Sequence, residues 1–168
     1  MILSKNKHLA ATTLVEASIA ACTSALFLGS LFTMNMTAMK TIRTAREASC
    51  ASQVLQQRIE SMRIANWHQV TDLDWMRSNL LGSEAAGSKG LKELSEILTL
   101  VPYGSSTVGN TQIVRSGGAT QIVARSNVLL AENAVKVIWT VDYSGGMTTQ
   151  PTTRRAVAIL AKGGVAKW

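Results

Sequence analysis

Few residues in this sequence could carry out acid–base, metal or nucleophilic chemistry. The two histidines, His8 near the start and His68 after a tryptophan, do not suit a Ser/His/Asp arrangement. Asp72 and Asp74 could bind Ca²⁺ with backbone carbonyls, but they lack the further acidic neighbours of a calcium site, so we expect a solvated turn. No glycine-rich motif precedes a Lys-Ser/Thr pair, which argues against ATP hydrolysis. The sequence therefore predicts a protein that is not an enzyme and that uses no metal or cofactor.

The positive charges of the chain are scattered along it. There are 17 Lys and Arg against 10 Asp and Glu, a formal net charge of +7, but Arg154 and Arg155 form the only adjacent basic pair. A nucleic-acid interface would gather such residues on one face of the protein. We therefore expect solvated charges, and we do not expect nucleic acid as a partner.

The N-terminal region has the composition of a membrane helix. The 168 residues, 46% of them hydrophobic, have the size of one ordinary folded domain. From Thr12 to Met39 there is one charged residue, Glu16. A helix of this length spans the ~30 Å hydrocarbon core of a bilayer. Serines and threonines within the stretch suit a membrane helix that packs against other helices.

Several kinds of N-terminal segment share this composition. A cleaved secretory signal has an apolar stretch of roughly 7–15 residues, shorter than the one that continues here to Met39. The sequence Ile19–Cys22 matches a lipoprotein signal, but apolar residues follow Cys22 where a lipoprotein has a polar tether. A plain signal anchor explains the length but not Glu16, because a carboxylate near the helix centre costs ~2.5–3.5 kcal/mol on insertion scales.

A fourth interpretation accounts for Glu16. A short basic leader, residues 4–11, is followed by Thr-Thr-Leu-Val-Glu-Ala at residues 12–17 and then by the apolar helix. This pattern resembles the type III signal of type IV pilins and type II secretion pseudopilins, in which Phe-Thr-Leu-Val/Ile-Glu follows the cut. The resemblance implies that a prepilin peptidase cleaves after Ala11 and that the new amine of Thr12 is methylated. It also implies that Glu16, the fifth mature residue, takes part in assembly.

The same resemblance implies a function, a location and partners. It implies a structural minor pilin or pseudopilin, resembling minor pilins of the PilV kind at its C-terminal end, that joins other pilin or pseudopilin subunits in a type IV pilus or type II secretion pseudopilus. The expected partners besides those subunits are the prepilin peptidase, an inner-membrane assembly platform and membrane lipid. The expected location is the bacterial inner membrane, with a single span and a periplasmic C-terminal domain.

Charge alone does not set the orientation of the span. Basic residues stand on both sides of it, Lys5 and Lys7 before it and Lys40, Arg43 and Arg46 after it. The family requires a cytoplasmic leader, and we adopt that orientation. The alternative function is a periplasmic binding module on a plain single-pass membrane anchor.

The long helix is expected to have two halves with different surroundings. We divide the chain into a leader (1–11), a transmembrane half (12–39), an amphipathic half (40–67) and a globular α+β domain (68–168). The predicted apolar face of the amphipathic half consists of Ala45, Ala48, Ser52, Leu55, Ile59 and Met62. Two cysteines 28 residues apart on such a helix are about 42 Å apart, too far for a disulfide.

The globular domain is expected to end in an antiparallel sheet. Thr111–Arg115 and Thr120–Arg125 flank a Ser-Gly-Gly turn, which predicts a hairpin. Val135–Tyr143 alternates as a half-buried strand does, and Arg154–Lys162 is the expected returning strand. Leu91–Leu98 has helical spacing and predicts a short helix. The predicted fold is α+β, with a pilin-like long N-terminal helix, transmembrane in its first half, packed on a small antiparallel sheet.

Overall fold

The computed structural model describes residues 5–103, 110–125, 133–145 and 151–163, with side chains from residue 13 onward. Within it the chain forms two compact units, residues 1–42 and 43–168. The described part of the first unit is helical. The second unit contains the last part of the helix, short helical segments and all the described strands.

Helix α1 runs from Lys5 to Ile64, and its sequence contains no proline. It ends three residues before the predicted end at Trp67. Asn66 has extended backbone, and its N–H donates a 2.9 Å hydrogen bond to the side-chain oxygen of Gln69. Asn66 therefore closes α1 and opens the short helix α2, Trp67–Thr71. A further short helix α3, Leu73–Trp75, and a π-helical turn, Met76–Leu80, follow.

The first part of α1 presents apolar side chains on all sides. From Thr13 onward the helix is long and apolar enough to cross a membrane, and none of its most apolar window is buried. Its large apolar side chains from Leu14 to Ile42 are 46–76% exposed. The structure thus confirms the long apolar helix that the sequence predicts, and this helix could form a single membrane span.

Five antiparallel strands form a sheet in the order β3-β2-β1-β4-β5 among the described residues. The strands are β1 Lys92–Pro102, β2 Thr111–Ser116, β3 Ala119–Ala124, β4 Ala134–Ser144 and β5 Pro151–Ala161. Gly117 and Gly118 connect β2 to β3, and both have positive φ angles, 58° and 84°. Two such residues form the turn whose twist suits a tight hairpin. The pairings β2–β3 and β4–β5, both predicted, are confirmed.

The helix predicted at Leu91–Leu98 is wrong. Residues 92–102 form β1, the central strand, which pairs with β2 on one side and β4 on the other. The strand alternates between its two faces. The side chains of Glu96, Leu98 and Leu100 are buried in the core, and the residues between them are half-buried on the other face. Pairing on both sides outweighs the local helical spacing of the leucines, because strand preference depends on tertiary context.

The core of the second unit lies between one face of the sheet and the last turns of α1. The sheet contributes Leu98, Leu100, Ile113, Val135, Val137, Trp139, Val141 and Tyr143. The helix contributes Ala51, Val54, Leu55 and Met62, and the segment after it adds Val70, Leu73, Met76, Leu80, Leu81 and Ala85. This confirms the predicted α+β layout, a long helix packed on an antiparallel sheet.

The buried face of α1 differs in part from the predicted one. Leu55 and Met62 are buried as predicted, but Ala45 and Ser52 are exposed. The buried stripe instead includes Ala51 and Val54. The stripe is thus rotated toward residues outside the predicted apolar face, among them the buried Arg58.

The segment after the π-helical turn approaches α1 closely at Gly87, and we predict that Gly87→Ala destabilises the second unit. A Cβ at Gly87 would lie 2.5 Å from the carbonyl oxygen of Cys50, and backbone cannot yield as a flexible side chain can. The free energy of unfolding should fall by about 1–3 kcal/mol, as in overpacked cores. Denaturant unfolding of the detergent-solubilised chain, followed by tryptophan fluorescence, measures this change.

The matched control for that substitution is Ala86→Ser. Ala86 is the preceding residue and is exposed. Its substitution should change stability by no more than about 0.5 kcal/mol, as is usual at the surface. Equal stability of the Gly87→Ala and Ala86→Ser proteins would contradict the close packing of this segment on α1.

Candidate functional site

The three residues that the sequence singles out all lie on α1. The backbone of Ala11 and Thr12 belongs to the helix, and their side chains lie outside the described residues. Glu16 is exposed on the helix surface. It makes no hydrogen bond or ion pair with any other residue whose side chain is described.

The helix offers Glu16 no cation within reach. The sequence has no basic residue between His8 and Lys40. Lys7, the nearest lysine, is nine residues away, about 14 Å along a helix. Salt bridges on one helix join residues three or four positions apart. No side chain of this stretch of the chain can therefore act as a charge partner for the Glu16 carboxylate.

Five hydroxyl groups of the apolar stretch, in contrast, form hydrogen bonds within the helix itself. Ser18, Thr23, Ser30, Thr33 and Thr37 each donate a hydrogen bond of 2.7–3.0 Å to a carbonyl three or four residues earlier. Side chains bonded in this way can enter an apolar environment without a partner from another molecule. Glu16 differs from these five side chains, because its carboxylate forms no hydrogen bond or ion pair with the residues whose side chains are described.

A second group of polar residues is buried in the globular unit. Arg58 on α1, Glu96 on β1 and Arg115 on β2 are 3%, 0% and 6% exposed. The Glu96 carboxylate accepts hydrogen bonds from Nε and Nη2 of Arg58, at 2.8 and 2.9 Å, and from Nη1 of Arg115, at 3.0 Å. Three elements therefore meet at one carboxylate, which we call the buried ion cluster.

Arg58 extends the buried ion cluster to the segment that follows the π-helical turn. Its Nη1 donates to the carbonyl of Leu80, and its Nη2 donates to the carbonyl of Ser83 at 2.8 Å. The guanidinium carbon also lies 6.0 Å from the ring centre of Trp139. Arg58 therefore holds a strand, a loop and an aromatic core residue to the helix, through charge-assisted hydrogen bonds and a cation–π contact.

The sequence interpretation missed this cluster, although a signal for it exists. Arg58 is not among the residues of the predicted apolar face of the amphipathic half. It lies four residues after Val54 and four before Met62, both buried, and so shares their face. Glu96 and Arg115 each stand two residues from a buried strand residue, Leu98 and Ile113 respectively. Opposite charges at inward positions of facing elements are the pattern that would have indicated a buried ion pair.

Arg115 also lines an open cleft of about 610 Å³ beside the β2–β3 turn. Glu84, Lys89, Glu93 and Gly117 contribute to its wall. The cleft thus contains charged groups of both signs next to the buried ion cluster.

The other candidate residues are explained by local structure. Asp72 accepts hydrogen bonds from the N–H groups of Asp74 and Trp75 and so caps α3, and the exposed Asp74 lies within 4 Å of two arginines. His68 is exposed on α2. Among the described residues no three His, Cys, Asp or Glu side chains are grouped as a metal site would require. Both cysteines are free, as their spacing predicts.

No protein-family model, curated protein or solved structure matches the chain. A functional proposal must therefore stand on the residues and their geometry.

We predict that Glu96→Gln destabilises the globular unit strongly. The substitution leaves two buried arginines without an anion, and removing one partner of a buried ion pair costs about 3–5 kcal/mol. The control is Glu60→Gln, because Glu60 pairs with Arg63 at 2.9 Å but both side chains are about half exposed. That change should cost at most about 1 kcal/mol. Similar denaturation midpoints for the two variants would mean that the cluster does not hold helix and sheet together.

Proposed function

We propose that the chain is a structural minor pilin or pseudopilin subunit without catalytic activity. A prepilin peptidase cleaves it after Ala11, the amine of Thr12 is methylated, and α1 anchors it in the bacterial inner membrane. Its globular unit lies in the periplasm, and it joins related subunits in a type IV pilus or a type II secretion pseudopilus. The observation that carries the proposal is Glu16, an unpaired carboxylate that follows Thr-Leu-Val near the start of a long apolar helix.

The chemistry of Glu16 supports assembly rather than simple anchoring. A plain anchor gains nothing from a carboxylate in its membrane helix, which costs at most ~2.5–3.5 kcal/mol at the helix centre and less near the interface. Cleavage after Ala11 would create a cation at Thr12, one turn before Glu16. Glu16 can pair with that amine, including the amine of a neighbouring subunit once both helices lie in a membrane or a filament core. Each subunit would then offer one charge of each sign to its neighbours.

The exposed apolar surface of the first unit supports the same proposal. Its bulky side chains need either lipid or other helices around them. The self-satisfied serines and threonines allow close helix packing without adding unpaired polar groups. A helix of this kind can move from membrane to filament core with little change in its own hydrogen bonding.

A periplasmic binding module on a plain membrane anchor is the second candidate, and the charged cleft beside Arg115 favours it. The two candidates respond differently when residues 1–39 are replaced by an unrelated membrane span. A binding module would keep its ligand binding, whereas a pilin subunit would lose assembly. Measuring both properties on the same chimaera separates the two functions.

We predict that protein isolated from its native membranes begins at a methylated Thr12. Intact-mass and N-terminal peptide mass spectrometry measure this directly. Ala11→Gly, which restores the family's usual residue before the cut, should be processed at least as completely. A mature protein that retains Met1, or one that carries lipid on Cys22, would contradict the pilin proposal.

We predict that Glu16→Ala gives a stable, membrane-inserted protein that does not assemble. Insertion becomes easier because the carboxylate is gone, and the globular unit is unaffected because its buried contacts begin beyond residue 42. Disulfide cross-linking between cysteines introduced on neighbouring α1 helices measures assembly. We expect a loss of at least about tenfold in cross-linked oligomer, the equivalent of 1.4 kcal/mol.

Ser18→Ala is the matched control for Glu16→Ala. Ser18 lies two residues away, and its hydroxyl donates only to the Leu14 carbonyl of its own helix. Its loss should leave cross-linking unchanged. Wild-type cross-linking in the Glu16→Ala protein would remove the physical basis of the proposed function.

A further inference from the structure

Arg115 has hydrogen-bonding capacity that the described structure does not use. Its Nη1 donates to Glu96 at 3.0 Å. Its Nε is buried and donates to no residue that the structure describes. The Nη2 atom lies 3.9 Å from Oε1 of Glu84, which is beyond hydrogen-bond distance. A buried donor without an acceptor is unfavourable and calls for an explanation.

The two unused nitrogens belong to the same edge of the guanidinium group. Nε and Nη2 point in parallel directions, so one group with two oxygens can accept hydrogen bonds from both. Arg58 uses this edge in the same cluster, where its Nε and Nη2 bind the two oxygens of Glu96. The corresponding edge of Arg115 has the donor geometry for a second such acceptor.

The local charge favours an anion at that position. The buried ion cluster contains two arginines and one glutamate, so it carries one positive charge in excess. The carboxylates of Glu84 and Glu93 also line the cleft, but the Glu84 side chain is 62% exposed and Glu93 is exposed too, so solvent screens both charges. Lys89 lines the same cleft and is also exposed, so it can attract an anion from solution.

We propose that the cleft binds an oxyanion, a carboxylate or a phosphate group, side-on at Nε and Nη2 of Arg115. The bound group displaces the Glu84 carboxylate from the neighbourhood of Nη2, and Lys89 strengthens binding by charge attraction. The site belongs to the globular unit alone and does not rest on the proposed pilin function.

Titration of the full chain in detergent micelles with acetate, and separately with inorganic phosphate, tests the proposal. Sodium chloride keeps the ionic strength constant, and the arginine Nε–H resonances are followed by ¹H–¹⁵N NMR. The Arg115→Lys protein identifies the Arg115 signal. We expect a saturable shift of that signal with at least one probe, and the probe that saturates it identifies carboxylate or phosphate as the preferred group. No saturable shift with either probe would overturn the proposal.

Two exposed variants make the test independent of whether Arg115→Lys folds. Glu84→Gln removes the competing carboxylate and should tighten binding about two- to fivefold, the range for one exposed ion pair. Lys89→Gln should weaken binding by about the same factor. Glu60→Gln, which lies outside the cleft, should leave the affinity unchanged. An affinity that does not rise in Glu84→Gln would place the anion away from Arg115 and would also overturn the proposal.

Discussion

The packing of the globular unit depends on the hydrogen bonds between the Glu96 carboxylate and two arginines. It is fully buried, and an isolated carboxylate in such a place would be far more stable in water. Arg58 and Arg115 offset this cost with three hydrogen bonds, but only if α1, β1 and β2 stand in one relative position. A leucine core tolerates small shifts, whereas a side-on guanidinium–carboxylate pair does not. The cluster therefore fixes how the helix lies on the sheet, and the apolar residues around it supply most of the burial.

The same cluster determines the shape of the charged cleft. Arg58 also binds the carbonyls of Leu80 and Ser83, so it holds the segment that leads to Glu84 and Lys89. Arg115 completes the cluster from the other side and lines the cleft. The cluster uses the side-on edge of one arginine and leaves that of the other unused. Arg58, which holds the fold together, and Arg115, which lines the candidate binding cleft, thus bind the same carboxylate.

The sequence predicts the elements well where a pattern is local and less well where it depends on neighbours. The apolar helix, the Gly117-Gly118 hairpin and the alternating strand β4 each carry their signal within one continuous segment of sequence, and all three are present. Strand β1 was missed because its leucines also fit a helix and only pairing on both sides decides between the two. Arg58 was misplaced because a charged residue is usually solvated, and its partners Leu80, Ser83 and Glu96 are 22, 25 and 38 residues away. The proposed processing site at Ala11 and Thr12 remains a prediction.

Glu16 and Glu96 are both carboxylates whose negative charge needs a partner in apolar surroundings, and they differ in where that partner can come from. Glu96 is buried in the folded domain. Glu16 has apolar surroundings only when α1 is covered by lipid or by other helices. Glu96 has two arginines supplied by its own chain, so its charge is balanced as soon as the domain folds. Glu16 has no basic side chain within reach on its helix, so folding of the uncleaved chain leaves its charge unbalanced. If α1 is covered by lipid or by other helices, this unbalanced charge favours a partner from another molecule, which is what the proposed assembly through Glu16 would supply.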